Sequence, residues 1–153
     1  MLDAELTIVG PDGPIRGGPG ARSATGAIPV IEVRHTLVSP RDVQTGQATG
    51  KRRHEPITVV KEVDRSSPVL IHAWVRNDVL PTWKLDVLAT DQFGRRRPAY
   101  TIELRGAAVS QVALTTPDAP GLPHEAVSFV YQAITWTFHD GRTSATDDWM
   151  TPV

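Results

Sequence analysis

The chain of 153 residues and 16.7 kDa has the size of one domain, and its 40% apolar and 22% charged content excludes a disordered tail. Its 16 basic and 17 acidic residues leave a net charge of −1, which argues against a dedicated nucleic-acid binder. Without cysteine there is no disulfide framework, no thiolate nucleophile and no Cys-ligated metal, and no apolar run reaches the ~20 residues of a membrane span.

The opening Met1-Leu2-Asp3-Ala4-Glu5 has no basic region followed by an apolar stretch, so no secretory signal peptide is expected. Leu6-Thr7-Ile8-Val9 reads as a strand. Residues 10–27 are so rich in glycine and proline that they read as a loop. A second strand is expected over 30–38, with Ile31, Val33, His35 and Leu37 on one face and Glu32, Arg34 and Thr36 on the other. Residues 39–56 then form a polar segment, long for a loop in a compact domain. A third strand follows over 57–63.

One helix is well signalled. Ser66-Ser67 offers a hydroxyl cap and Pro68 suits the first turn, where its missing N–H costs nothing. Val69, Leu70, Ala73 and Trp74 would form its apolar stripe, and Asn77-Asp78 would end it before Pro81. Strands are expected again at 83–90, 100–105 and 108–114, with a hairpin connection over 91–98 and a Pro/Gly loop over 115–123. In the last run, Val127, Phe129 and Tyr131 share one parity and Ile134, Trp136 and Phe138 the other, so a bulge or sharp twist is expected near Gln132-Ala133. The tail from 140 to 153 reads as polar apart from Trp149 and Met150, with Asp147-Asp148 as solvated charge. Roughly seven to nine strands and one helix suggest a barrel or sandwich carrying a side helix.

The chemistry-bearing residues are sparse. His35, His54, His72, His124 and His139 show no metal-binding spacing, and His35, alternating with apolar neighbours, reads as a satisfied buried or interface histidine. No Gly-x-Ser-x-Gly turn presents a nucleophile, and no glycine pattern cradles a phosphate. Two basic clusters remain, Lys51-Arg52-Arg53-His54 and Arg95-Arg96-Arg97. They lack the interleaved aromatics of a single-strand nucleic-acid surface, Phe93 apart, so acidic patches on a partner or on another copy suit them better.

The order of motifs carries a resemblance. Lys51-Arg52-Arg53-His54-Glu55-Pro56 leads through a strand into Lys61-Glu62-Val63-Asp64-Arg65-Ser66-Ser67-Pro68. Tyr100-x-Ile102-x-Leu104 precedes Val109-Ser110, and Glu125-x-Val127-x-Phe129-x-Tyr131 precedes Ile134-x-Trp136. Over roughly 28–139 this resembles the haemolysin-coregulated protein (Hcp) family, the tube protein of type VI secretion. The resemblance implies a mainly β fold, a small β-barrel of two packed antiparallel sheets with one helix on its side, in a single domain over 1–153. It implies a homo-hexameric ring, stacked rings, and a contractile sheath and spike as partners, with effector cargo in the lumen. It implies no active site, cofactor, metal, nucleic acid or membrane. The protein would be cytoplasmic when assembled and exported by the injection machine without a signal peptide.

The segment 39–56 would match the family's extended loop, with Arg41, Lys51, Arg52, Arg53, His54 and Glu55 as candidates for the ring interface; Asp64, Ser66, Ser67 and Pro68 would mark the helix start. Residues 51–53 would meet acidic ones such as Asp86 or Glu103 on the next copy. Residues 1–27 lack the family's Gly-Glu-Ser pattern, and 140–153 extend past its usual end. A tube subunit of a related phage-tail-like contractile system is a close alternative. Two further readings differ in kind: a monomeric ligand- or carbohydrate-binding β-sandwich using Trp83, Trp136 or Trp149, and a hydrolase whose Ser, His and acid meet only on folding.

Overall fold

Leu6 and Ile8 are excluded from solvent while Thr7 between them is exposed, the alternation of a strand packed on one face. This strand, β1 (Ala4–Gly10), turns through Pro11-Asp12 into β2 (Gly13–Ile15), pairing Ile8 with Ile15 and Gly10 with Gly13. The Gly/Pro segment is thus partly strand. Pro14 is tolerated because β2 lies at a sheet edge, where its missing N–H breaks no ladder. The structure, a computed structural model, describes residues 2–18 and 26–148. Residues 19–25, and 149–153 with Trp149 and Met150, lie outside the described residues.

The run 30–38 is three strands instead of one. β3 (Ile28–Val30) pairs with β1, β4 (Glu32–Arg34) with β7 (Ile57–Glu62), and β5 (Leu37–Val38) with β6 (Arg53–His54). The chain changes sheets at Ile31, whose amide donates to the Val60 carbonyl at 2.7 Å while its side chain stays partly exposed. After helix α1 (Ser67–Arg76) come β8 (Thr82–Thr90), β9 (Arg96–Arg105), β10 (Ala108–Thr115), β11 (His124–Val130), β12 (Ala133–Phe138) and β13 (Thr143–Asp148). β13 falls in the expected polar tail, which therefore carries a strand.

All strand pairings among the described residues are antiparallel. One sheet runs β13-β12-β9-β8-β1-β2, with β3 also on β1; the other runs β10-β11-β7-β4. Their inner faces share one core. Leu6, Trp83, Leu85, Ile102, Leu104 and Ile134 come from the first sheet, and Ile57, Val59, Val109, Val127 and Phe129 from the second. Trp83 meets Phe129 edge-on with ring centroids 5.4 Å apart.

The parity change after Tyr131 is a change of sheet through a bend at Gln132; of the two expectations the sharp turn holds and the bulge does not. β11 ends at Val130 in the second sheet and β12 starts at Ala133 in the first, so inward positions are counted against a different wall. Register shifts occur instead at Val87/Leu88 and Val109/Gln111.

Two expectations for the helix are corrected. Ser66 is the N-cap residue, but its backbone is helical (φ −76°, ψ −20°) and its side chain caps nothing. Its hydroxyl donates to Asp64 instead. The inward face is Ser67, Leu70 and Ala73, whereas Val69 and Trp74 are 45% and 50% exposed. The helix ends as predicted: Asn77 adopts the left-handed conformation (φ 54°), and the amides of Asn77 and Asp78 reach the carbonyls of Trp74 and Ala73.

Candidate functional site

Two polar constellations are built from the residues that the motifs single out. The first lies under the helix start. Lys61 on β7 is fully buried, and its Nζ lies 2.5 Å from Glu125 Oε1 on β11, 3.1 Å from Asp64 Oδ1, 3.1 Å from Ser67 Oγ and 3.0 Å from the Glu62 carbonyl. Ser67 Oγ donates to Glu125 at 2.6 Å and accepts from the Asp64 amide at 2.9 Å. Burial pushes the Asp64 carboxyl up, but the Gly18 amide at 2.7 Å, the Ser66 hydroxyl and the Lys61 charge outweigh it, leaving the group below its ordinary value. Asp64, Ser66, Ser67 and Pro68 thus mark the helix start, through a network that ties β7, β11 and the Gly17-Gly18 turn together. Ser67 beside Lys61 has the composition of a nucleophile–base pair, yet the two are 5% and 0% exposed.

The second constellation is the base of the arm 39–56. Arg52 and His54 lie two apart, so strand alternation turns both the same way. Both meet Asp147 on β13. Arg52 clamps it with two hydrogen bonds, and His54 Nε2 lies 2.5 Å from Oδ2. The Arg52 hydrogen bonds hold the Asp147 carboxyl well below the usual carboxylate range, with His54 adding to the effect. The reading of Asp147 as solvated charge is therefore overturned. His54 Nδ1 lies 3.2 Å from the Tyr131 hydroxyl, and His35 Nε2 lies 2.7 Å from the same oxygen. Trp136 on β12 stacks against both imidazoles, at centroid distances of 6.5 Å to His35 and 6.3 Å to His54. Burial raises the Tyr131 phenol above its ordinary range. Burial also pushes the His35 imidazole down, with His54 acting in the same direction.

The six arm candidates therefore divide. Arg52 and His54 face inward and latch the arm to its own chain. Arg41, Lys51 and Arg53 are exposed; Arg41 donates to the Gly46 carbonyl within the arm, and Arg53 lies 4.0 Å from half-exposed Glu55. Asp86, expected to meet such cations on another copy, has a side chain only 14% exposed, accepts from Thr101 at 2.7 Å and sits near Lys84. Of the second basic cluster, Arg96 binds Asp3 and Glu5, and Arg97 lies 3.4 Å from Asp91. His35 is satisfied, as read. Sequence reasoning gives Glu125 and Tyr131 only a place in a strand motif and misreads Asp147; the two-residue spacing of Arg52 and His54 is the available signal that they share a target.

Of the three candidate stacking platforms, two are described. Trp83 is 1% exposed, Trp136 is covered by two imidazoles, and Trp149 lies outside the described residues. Among the described residues no three His, Asp or Glu side chains converge as metal ligands.

Comparison with known proteins places this geometry. The family described as type VI secretion system effector, Hcp, matches residues 6–138. The major exported protein of Pseudomonas aeruginosa is 34% identical over 125 residues, covering 78% of this chain and 73% of that protein. A crystal structure of an Hcp protein superposes with a TM-score of 0.88 at 25% identity, covering 99% of this chain and all of that one. The Hcp1 protein of the E. coli EAEC 042 pathovar superposes with a TM-score of 0.86 at 29% identity, covering 97% of this chain and 99% of that one. The chain shares the fold of these solved proteins and belongs to the Hcp family of type VI secretion proteins.

Proposed function

We propose that this chain is a structural tube subunit that closes into hexameric rings, that the rings stack, and that it carries out no catalysis. The observation that carries the reading is the family match over 6–138. The arm supports it physically. Its base is held by Asp147 and Tyr131, while Val43 at its far turn is fully exposed. An arm fixed at one end and unpacked at the other suits contact with a neighbouring subunit. Cyclic closure is heterologous, so Arg41, Lys51, Arg53 and Glu55 would meet a different surface on the next copy. Rings assembled in the cytoplasm would leave through the machine as the tube, with the sheath outside, the spike at the tip and effector cargo in the lumen.

Native mass spectrometry at micromolar protomer concentration tests the ring. The expected species is about six chain masses, reduced to smaller species by Lys51→Glu/Arg53→Glu. A monomer across low and physiological salt overturns the proposal.

A further inference from the structure

At the base of the arm two imidazoles share one hydroxyl, and counting protons gives the arrangement a direction. His54 Nε2, 2.5 Å from the Asp147 carboxylate, carries a proton. In a neutral His54 the other nitrogen is then an acceptor, and the Tyr131 hydroxyl at 3.2 Å supplies its donor. With that proton committed, the Tyr131 oxygen accepts from His35 Nε2–H at 2.7 Å. With both imidazoles neutral, the chain from His35 through Tyr131 and His54 to Asp147 is satisfied at each link. Its members come from both sides of the arm base, from the corner after β11 and from β13.

Excess protons undo this arrangement. If both imidazoles are charged, both must donate to the one Tyr131 oxygen, and the hydroxyl proton turns to the Glu55 carbonyl at 3.2 Å. The charged and titratable groups facing the pair are Arg52 and Glu55 from the arm, Tyr131 from the corner and Asp147 from β13. Asp147 touches His54 and Arg52, and among the described residues no carboxylate pairs with the second imidazolium, His35; the Glu55 carbonyl favours its charged form but burial and His54 outweigh it.

We propose that the His35–Tyr131–His54–Asp147 chain is an acid-sensitive latch, which holds the base of the 39–56 arm on the body while His35 is neutral and loosens it when His35 takes a proton. The direction of the His35 shift agrees: burial first, then His54, push its imidazole down. A histidine lowered on folding contributes stability that is complete above its unfolded value of ~6.5 and is lost as pH falls through the folded value. The arm is therefore held at pH 7.5 and loosened at pH 5.5, by at most about tenfold through His35. The latch is a property of the single chain and stands whether or not rings form.

Hydrogen exchange of the intact protein at pH 7.5 and 5.5, corrected for intrinsic rates, tests it. The reporters are the Glu55 amide, bonded to the Thr36 carbonyl, and the β5–β6 ribbon; the Val63 amide, bonded to the Pro123 carbonyl, is the control. Arm protection should fall several-fold at pH 5.5 with the control unchanged. His35→Gln keeps a donor toward Tyr131 without titrating, so the pH response should disappear. Tyr131→Phe should leave the arm weakly protected at both pH values. Equal protection at both pH values in the unmodified protein overturns the proposal, as does a full pH response in His35→Gln. Should His35→Gln unfold the arm outright, NMR titration of the unmodified protein decides: a His35 already charged at pH 7.5 with the arm in place rejects the latch.

Discussion

Lys61→Met probes the buried ion pair with little change of shape, because methionine keeps an unbranched stem and removes the ammonium. In the native chain that ammonium lies 2.5 Å from Glu125 and has three further oxygen acceptors within 3.1 Å. Without it Glu125, 3% exposed, keeps the Ser67 hydroxyl at 2.6 Å and loses its charge partner. Asp64 suffers less, since the Gly18 amide and the Ser66 amide and hydroxyl still bind it. Removing one member of a buried pair costs roughly 3–5 kcal/mol. At about 2–4 °C per kcal/mol for a chain of this size, the melting temperature should drop by on the order of 10 °C. Lys61→Met/Glu125→Met removes both charges and should recover to within about 1 kcal/mol of the unmodified protein, because an apolar pair of similar volume pays no desolvation. Denaturant unfolding at pH 7 and fixed protomer concentration reads both values. A single variant that loses under about 1 kcal/mol, or a double variant less stable than the single, refutes the reasoning.

Gly17→Ala should destabilise by about 1–3 kcal/mol, since a β-carbon there would sit 2.7 Å from Ile28 Cγ1, 2.8 Å from Asp64 Oδ2 and 2.9 Å from the Ile28 backbone. An unchanged denaturation midpoint would show that this turn is not closely packed. Asp147 is held below its ordinary value of 3.8, so its stabilisation is complete above that pH and is lost as pH falls further. Asp147→Asn should flatten the acid limb of stability below about pH 4 and weaken the arm at neutral pH; an acid limb identical to that of the unmodified protein counts against the assignment.

The elements were legible where periodicity is local. Leu6 and Ile8, the alternation through Trp83 and Leu85, and the Pro68 to Asn77 helix each declare themselves within ten residues, because side-chain direction follows the backbone repeat. Which strands share a sheet is a long-range matter. The run 30–38 looks uniform, yet its parts serve three sheets, and nothing in its alternation marks the crossing at Ile31. The parity flip after Tyr131 was visible, but a bulge and a change of sheet leave the same trace in one dimension. The helix illustrates the same limit: apolar spacing admitted Val69 and Trp74 to the buried face, and only the position of the sheets chose Ser67, Leu70 and Ala73. The candidate sites depend most on tertiary structure. Lys61 and Glu125 are 64 positions apart and Arg52 and Asp147 are 95 apart, so no local pattern pairs them before folding removes the water between them. The amino-acid sequence alone determined the family, the helix and most strands, because motif order and local repeat are one-dimensional properties. The tertiary structure decided which polar side chains are buried together, because desolvation depends on neighbours that only the closed sheets supply.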